Sequence, residues 1–151
     1  MSNLNFSING KSINPTKYEG KARQFNITVD EPEALGGKDE APNPVEYILA
    51  GYAGCLNVVF HVVAKELNIQ IKTLKIYING DINPEKFLGI SDKERAGFQS
   101  LNVHIELETD AEKQELVNEL ITKVKERCPV NDNLANPTPI KYFFTQPIFL
   151  N

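Results

Sequence analysis

Apolar and polar residues alternate along several stretches of the chain, and the alternation predicts strands. Leu4, Phe6 and Ile8 alternate with Asn3, Asn5 and Ser7 ahead of Gly10, which reads as an opening β-hairpin. After Gly20, Phe25, Ile27 and Val29 share one side of a second strand, and Arg23 falls on that same apolar side. Leu74, Ile76 and Ile78 alternate with Thr73, Lys75 and Tyr77; Leu101, Val103, Ile105 and Leu107 alternate with Ser100, Asn102, His104 and Glu106. These are the periods of two half-buried strands. Aromatic residues at 141–150 predict a closing strand.

Helical signals separate these runs. DEPEALGGKDEAPN at 30–43 is a loop, rich in proline, glycine and charge, and it ends in a helix start. Asn43 can cap free N–H groups, Pro44 suits the first helical position, and no breaker follows until about Asn68. This helix is apolar nearly all round, so it must be enclosed on every side, and a chain of 151 residues has few elements with which to do so. A partner chain is the expected remainder. Gly51 and Gly54, among Ala50 and Ala53, strengthen that expectation, because a mid-helix glycine costs about 1 kcal/mol against alanine. Close backbone approach offsets the cost, either to the chain's own sheet or, the preferred reading, to a second copy. Residues 79–98 are polar and turn-rich, with a short irregular helix around 84–88. Thr109 and Glu112 form a T-x-x-E capping box, after which Leu116, Val117, Leu120, Ile121 and Val124 stripe a helix ending by Pro129. Cys128 extends that stripe. Strands, helix, strands, helix and strand in this order predict one α+β domain over residues 1–151 with mainly antiparallel pairing.

Composition narrows the function. Twenty acidic against sixteen basic residues give a net charge of −4, with the basic residues spread thinly, which argues against a nucleic-acid or anionic-membrane surface. No stretch is expected to approach a membrane span, and residues 1–10 have neither the basic head nor the apolar core of a secretory leader, so a cytoplasmic location is expected. In a reducing compartment the two cysteines are free thiols, metal ligands or a redox couple.

Cys55 lies in the middle of the apolar helix, where a thiol is most simply an inert apolar group. Reactivity requires a cation or hydrogen-bond donor beside it. At about 100° per residue His61 lies about 240° round from Cys55 and Glu46 about 180°, so both point elsewhere within one straight helix. Tyr52 and Val59 share its face. Arg23 remains: it either stabilises a thiolate and a peroxide oxygen or lays its stem on the core with its head in water. Cys128 has two readings as well. At the end of the long helix it feels a negative dipole end; if Pro129 opens a short helix, it caps a positive one. Cys55, His61, His104 and Cys128 lack the paired spacings of a zinc site, and GGKDEAP lacks the spacing of a phosphate loop. No metal or cofactor is expected.

LGGKDEAPNPVEYILAGYAGCLNVV around Cys55, AGFQSLNV at 96–103 and ERCPV around Cys128 together resemble the OsmC/Ohr family of osmotically inducible and organic-hydroperoxide-resistance proteins. The resemblance runs from about Gly20 to Ile140. It implies an intertwined α+β homodimer with antiparallel sheets around two central helices and an active site at the subunit interface. It also implies a thiol-dependent peroxidase without cofactor. Cys55 would attack the O–O bond of a small hydroperoxide and become a sulfenic acid, Cys128 would resolve it as a disulfide, and an external thiol or dithiol would reset the pair. By the same analogy Arg23 and Glu46 belong to the site. The chain departs from the Ohr-type pattern at Val45, where that pattern has an acid directly after Asn-Pro; Glu46 comes one residue later. A second reading follows from that departure: a non-catalytic module holding a small lipophilic ligand in the dimer's cavity.

Overall fold

The structure is a computed structural model and describes residues 1–145. Strands β1 (Asn9–Ser12), β2 (Tyr18–Ala22) and β3 (Phe25–Val29) form an antiparallel sheet in the order β1-β2-β3. A loop with a short 3-10 turn at Glu33–Leu35 leads to helix α1 (Pro44–Glu66). Two long strands, β4 (Ile71–Ile82) and β5 (Phe98–Thr109), pair antiparallel as a second sheet; helices α2 (Gln114–Arg127) and α3 (Pro129–Ala135) follow. This is an α+β fold with two antiparallel sheets.

Helix α1 starts where its cap demands. Asn43 Oδ1 accepts from the Glu46 amide at 2.9 Å and the Glu46 carboxylate accepts from the Asn43 amide at 2.8 Å, a reciprocal capping box with Pro44 at the first helical position. One face of α1 buries Tyr52, Leu56, Phe60, Val63 and Ala64; from the other helices come Leu120, Val124 and Cys128. Leu74, Ile76, Ile78, Leu101, Val103 and Leu107 of the β4–β5 sheet pack against this cluster. Burying each large side chain contributes about 1.5–3 kcal/mol, which makes this the stable half of the chain. Arg127 closes the ends of α1 and α2 by donating to both oxygens of Glu66, at 2.6 and 2.9 Å.

The opposite face of α1 is bare. Val58 and Val62 are exposed, and a Cβ built on Gly51 or Gly54 would meet nothing within 4 Å. The glycines therefore do not serve packing against the chain's own sheet. By length and composition α1 is also long and apolar enough to cross a bilayer, with a mean hydropathy of 1.6 over its best window, contrary to the expectation from sequence. A core helix passes the same test, and five of its side chains are buried against its own chain.

The first sheet is held differently. Asp30, 1% exposed, ends β3 and anchors the loop: its carboxylate accepts from the Thr16 hydroxyl and from the amides of Glu31, Lys38 and Glu40. Burial pushes this carboxyl up, but the donors outweigh it and leave the pKa below the ordinary 3.8. Lys17 joins the loop to the sheet through Glu40 and Glu19. Tyr47 Oη donates to the Thr28 carbonyl at 2.6 Å and so ties α1 to β3.

Several predicted elements differ. The first strand lies at 9–12 rather than 4–8, because β2 offers partners only from Asn9↔Lys21 to Ser12↔Tyr18. Leu4, Phe6 and Ile8 keep their alternation but remain exposed. The strand predicted through Arg23 is broken by a two-residue turn at Arg23 and Gln24, so parity across it does not hold. Thr109 is not a helix cap: it pairs with Ile71 in β5, its hydroxyl accepts from the Ala111 amide, and α2 starts only at Gln114 without a side-chain cap. The irregular helix near 84–88 is a run of overlapping hydrogen-bonded turns, with the Leu88 amide on the Pro84 carbonyl and the Ile90 amide on the Glu85 carbonyl. Of the predicted closing strand, residues 141–145 are not in a strand and the rest lies outside the described residues.

Candidate active site

The two cysteines, 73 residues apart in sequence, meet. Cys128 Sγ lies 3.1 Å from Cys55 Sγ, and both are free thiols. Cys55 stands on the half-buried flank of α1, while Cys128 is fully buried at the joint between two helices. Both sequence readings of Cys128 hold at once: its amide caps α2 by donating to Val124, and its sulfur accepts from the Asn131 amide of α3 at 3.5 Å. The opposing dipole ends leave burial to decide. Burial pushes the Cys128 thiol above its ordinary 9.0; the Asn131 amide pulls it back, the Cys55 sulfur raises it again, and the Val130 amide lowers it. At neutral pH Cys128 therefore keeps its proton and presents it to Cys55, the arrangement of a resolving partner rather than a first nucleophile.

Tyr52 lies one turn before Cys55 on the same face of α1. Burial, then the charges of Cys128 and Cys55, hold its phenol above the ordinary 10.0, so it remains a hydrogen-bond donor. It donates to Asn131 Oδ1 at 2.6 Å. Both residues line a cavity of about 360 Å³ whose walls include Ile48, Phe98, Leu101 and Leu134, with Arg95 among its polar lining residues. Among the described residues that form this lining neither cysteine appears; the Tyr52 and Asn131 side chains contribute to the wall close to them.

The other two predicted residues stand apart from the sulfurs within one chain. Arg23 occupies the tip of the β2–β3 turn with φ of 55°, exposed, its guanidinium 5.0 Å from the centre of the Phe25 ring. It does not point inward, since the turn takes it out of the strand's alternation. The Glu46 carboxylate is engaged by the helix cap on the Asn43 amide. Asn131 and Arg95 were not singled out from sequence. The spacing N-x-x-E at 43–46 signals the cap, but nothing local signals a contact between residues 52 and 131.

Two neighbouring free thiols between helices in an α+β fold with two antiparallel sheets define the class of protein to compare. The OsmC-like protein family matches residues 37–143, from the loop before α1 to beyond α3, and the chain belongs to it. Solved structures share the fold. An OsmC-like protein from Mycoplasma pneumoniae superposes with a TM-score of 0.76 at 20% identity, over 90% of this chain and 91% of that one. An organic hydroperoxide resistance protein OsmC from Legionella pneumophila gives 0.63 at 19%, over 89% and 91%. An organic hydroperoxide resistance protein from Elizabethkingia anophelis gives 0.58 at 23%, over 91% and 93%. No curated protein matches the sequence.

Proposed function

We propose that the protein is a thiol-dependent peroxidase acting on small organic hydroperoxides or hydrogen peroxide. The observation that carries this reading is the 3.1 Å approach of two free sulfurs, one of them fully buried. The Cys55 thiolate attacks one peroxide oxygen, the O–O bond breaks, the alcohol or water leaves with a proton, and Cys55 carries the sulfenic acid. The Cys128 sulfur then displaces the hydroxyl as water, and two equivalents of an external thiol, or one dithiol, restore both cysteines.

The working unit of this proposal is a homodimer. Among the described residues, the bare face of α1 and the exposed Leu4, Phe6, Ile8 and Phe25 support a second copy. In that arrangement Arg23 reaches a cysteine pair from the partner chain, with Glu46 beside it. A cavity of mixed apolar and polar lining that includes neither cysteine favours one alternative, a module that holds a small ligand, apolar in part, without turnover.

One equivalent of cumene hydroperoxide added to reduced protein separates the two. We expect intact mass to fall by two hydrogens as a Cys55–Cys128 disulfide forms, and the Cys128→Ser variant to stop at a dimedone-reactive sulfenic acid on Cys55. Thiols that stay unchanged in folded protein refute the peroxidase and leave the ligand-binding module.

A further inference from the structure

Asn131 has every polar group of its residue that faces the joint in use around one sulfur. Its amide donates to Cys128 Sγ at 3.5 Å, its Nδ2 donates to the Lys125 carbonyl in the last turn of α2 at 3.0 Å, and its Oδ1 accepts from Tyr52 at 2.6 Å. One side chain therefore ties α1, α2 and α3 together. The tie matters because α3 has little else to hold it: the helix is seven residues long and contains no fully buried side chain, with only Val130 packed partly against the core. A helix that short is marginal without outside contacts. Apolar packing fixes Cys55, on a 23-residue helix, but fixes the α3 side of the Cys128 joint weakly.

We propose that the Tyr52–Asn131 hydrogen bond is the strut that keeps the resolving thiol within reach of Cys55, and that Asn131 is its positioning residue. The inference rests on Cys55 and Cys128 being the redox pair proposed above. Closing the disulfide takes the sulfurs from 3.1 Å to the S–S length of about 2.05 Å, a movement that side-chain rotation supplies only while α3 stays seated. In that step the Cys128 sulfur attacks the Cys55 sulfenic sulfur, the S–S bond forms as the S–O bond breaks, and hydroxide leaves as water with the proton Cys128 gives up. No further reactant is required. Without the strut, the same two sulfurs meet less often and the sulfenic acid outlives its partner's approach.

The test is the thiol–disulfide equilibrium of the full-length protein in buffers of oxidised and reduced dithiothreitol, compared for wild type, Tyr52→Phe, Asn131→Ala and the double variant. Tyr52→Phe keeps the ring in the core and removes only the donor. We expect each single variant to lower the equilibrium constant for the Cys55–Cys128 disulfide roughly three- to tenfold, the weight of one ordinary hydrogen bond. The double variant falls no further than Asn131→Ala alone, because that change already removes the Tyr52 bond together with the bond to the Lys125 carbonyl. With cumene hydroperoxide, trapped sulfenic acid then rises relative to disulfide, a split that a general loss of stability does not produce. An unchanged or raised equilibrium constant, or additive losses in the double variant, overturns the strut. If peroxide leaves all four proteins untouched while the equilibrium still falls, the strut stands and the peroxidase reading fails. Should Asn131→Ala not fold, Tyr52→Phe alone decides.

Discussion

The two halves of this chain are built on opposite principles. The half made of α1, α2, α3 and the β4–β5 sheet closes on itself through apolar side chains: Phe60, Val63, Leu120 and Val124 are each 0 or 1% exposed. The half made of β1, β2 and β3 buries one side chain as deeply, and that one is the carboxylate Asp30. Its apolar residues are at best half-buried, as Ile27 and Val29 are, with Phe25 at 50% and Phe6, ahead of β1, at 84% exposed. Apolar burial is non-directional and accumulates with area, whereas a carboxylate held by four donors is directional and fixes one loop in one place. The first half thus has a core of its own, although one face of α1 is left uncovered. The second is a well-ordered arm whose apolar surface awaits cover.

The sharpest way to break that contrast is inside the core. Leu120→Ala removes a fully buried side chain and should cost about 2–5 kcal/mol in urea unfolding, enough to unfold a marginal domain. Next comes Asp30→Asn, which puts an amide group where donors converge and should lower the thermal midpoint by several degrees while leaving the sulfur contact intact. Its pH signature follows from a depressed carboxyl: the stabilisation is complete above the unfolded value near 3.8 and is lost as pH falls through the lower folded value. Thermal scans between pH 5 and 2 should therefore converge for wild type and variant at the acid end. The smallest effect on the core is expected from Phe6→Ser with Ile8→Ser. Helical content should remain, and sedimentation should shift from dimer towards monomer; a wild type that already sediments as a monomer removes the second copy from the account.

What sequence revealed and what it hid divide along the same line. Local signals worked where the chain satisfies them locally: the Asn43–Pro44 start of α1 and the alternation of β4 and β5 are seen where they were read. They misled where satisfaction lies elsewhere. Leu4, Phe6 and Ile8 carry a strand's period without a strand to pair with among the described residues, and Thr109 carries a cap's spacing but is taken by β5. Parity placed Arg23 inward because a two-residue turn leaves no mark in the apolar pattern. Glu46 shows the converse: its cap spacing was visible, yet its position beside a motif suggested chemistry first. The meeting of Cys55 with Cys128, and of Tyr52 with Asn131, is a matter of helix docking over 73 and 79 residues, which no periodicity encodes. Family resemblance anticipated the first and was silent on the second.

For the redox pair proposed above, the seating of Cys128 at a helix joint would also set the regiochemistry of repair. Its sulfur is enclosed by its own chain alone, so no neighbouring molecule, however arranged, can uncover it. An incoming donor thiolate must approach in line with the S–S bond, and only the Cys55 end offers an approach. In an oxidised pair of this geometry the mixed disulfide forms on Cys55, and Cys128 departs as the leaving thiolate and recovers its proton where it sits.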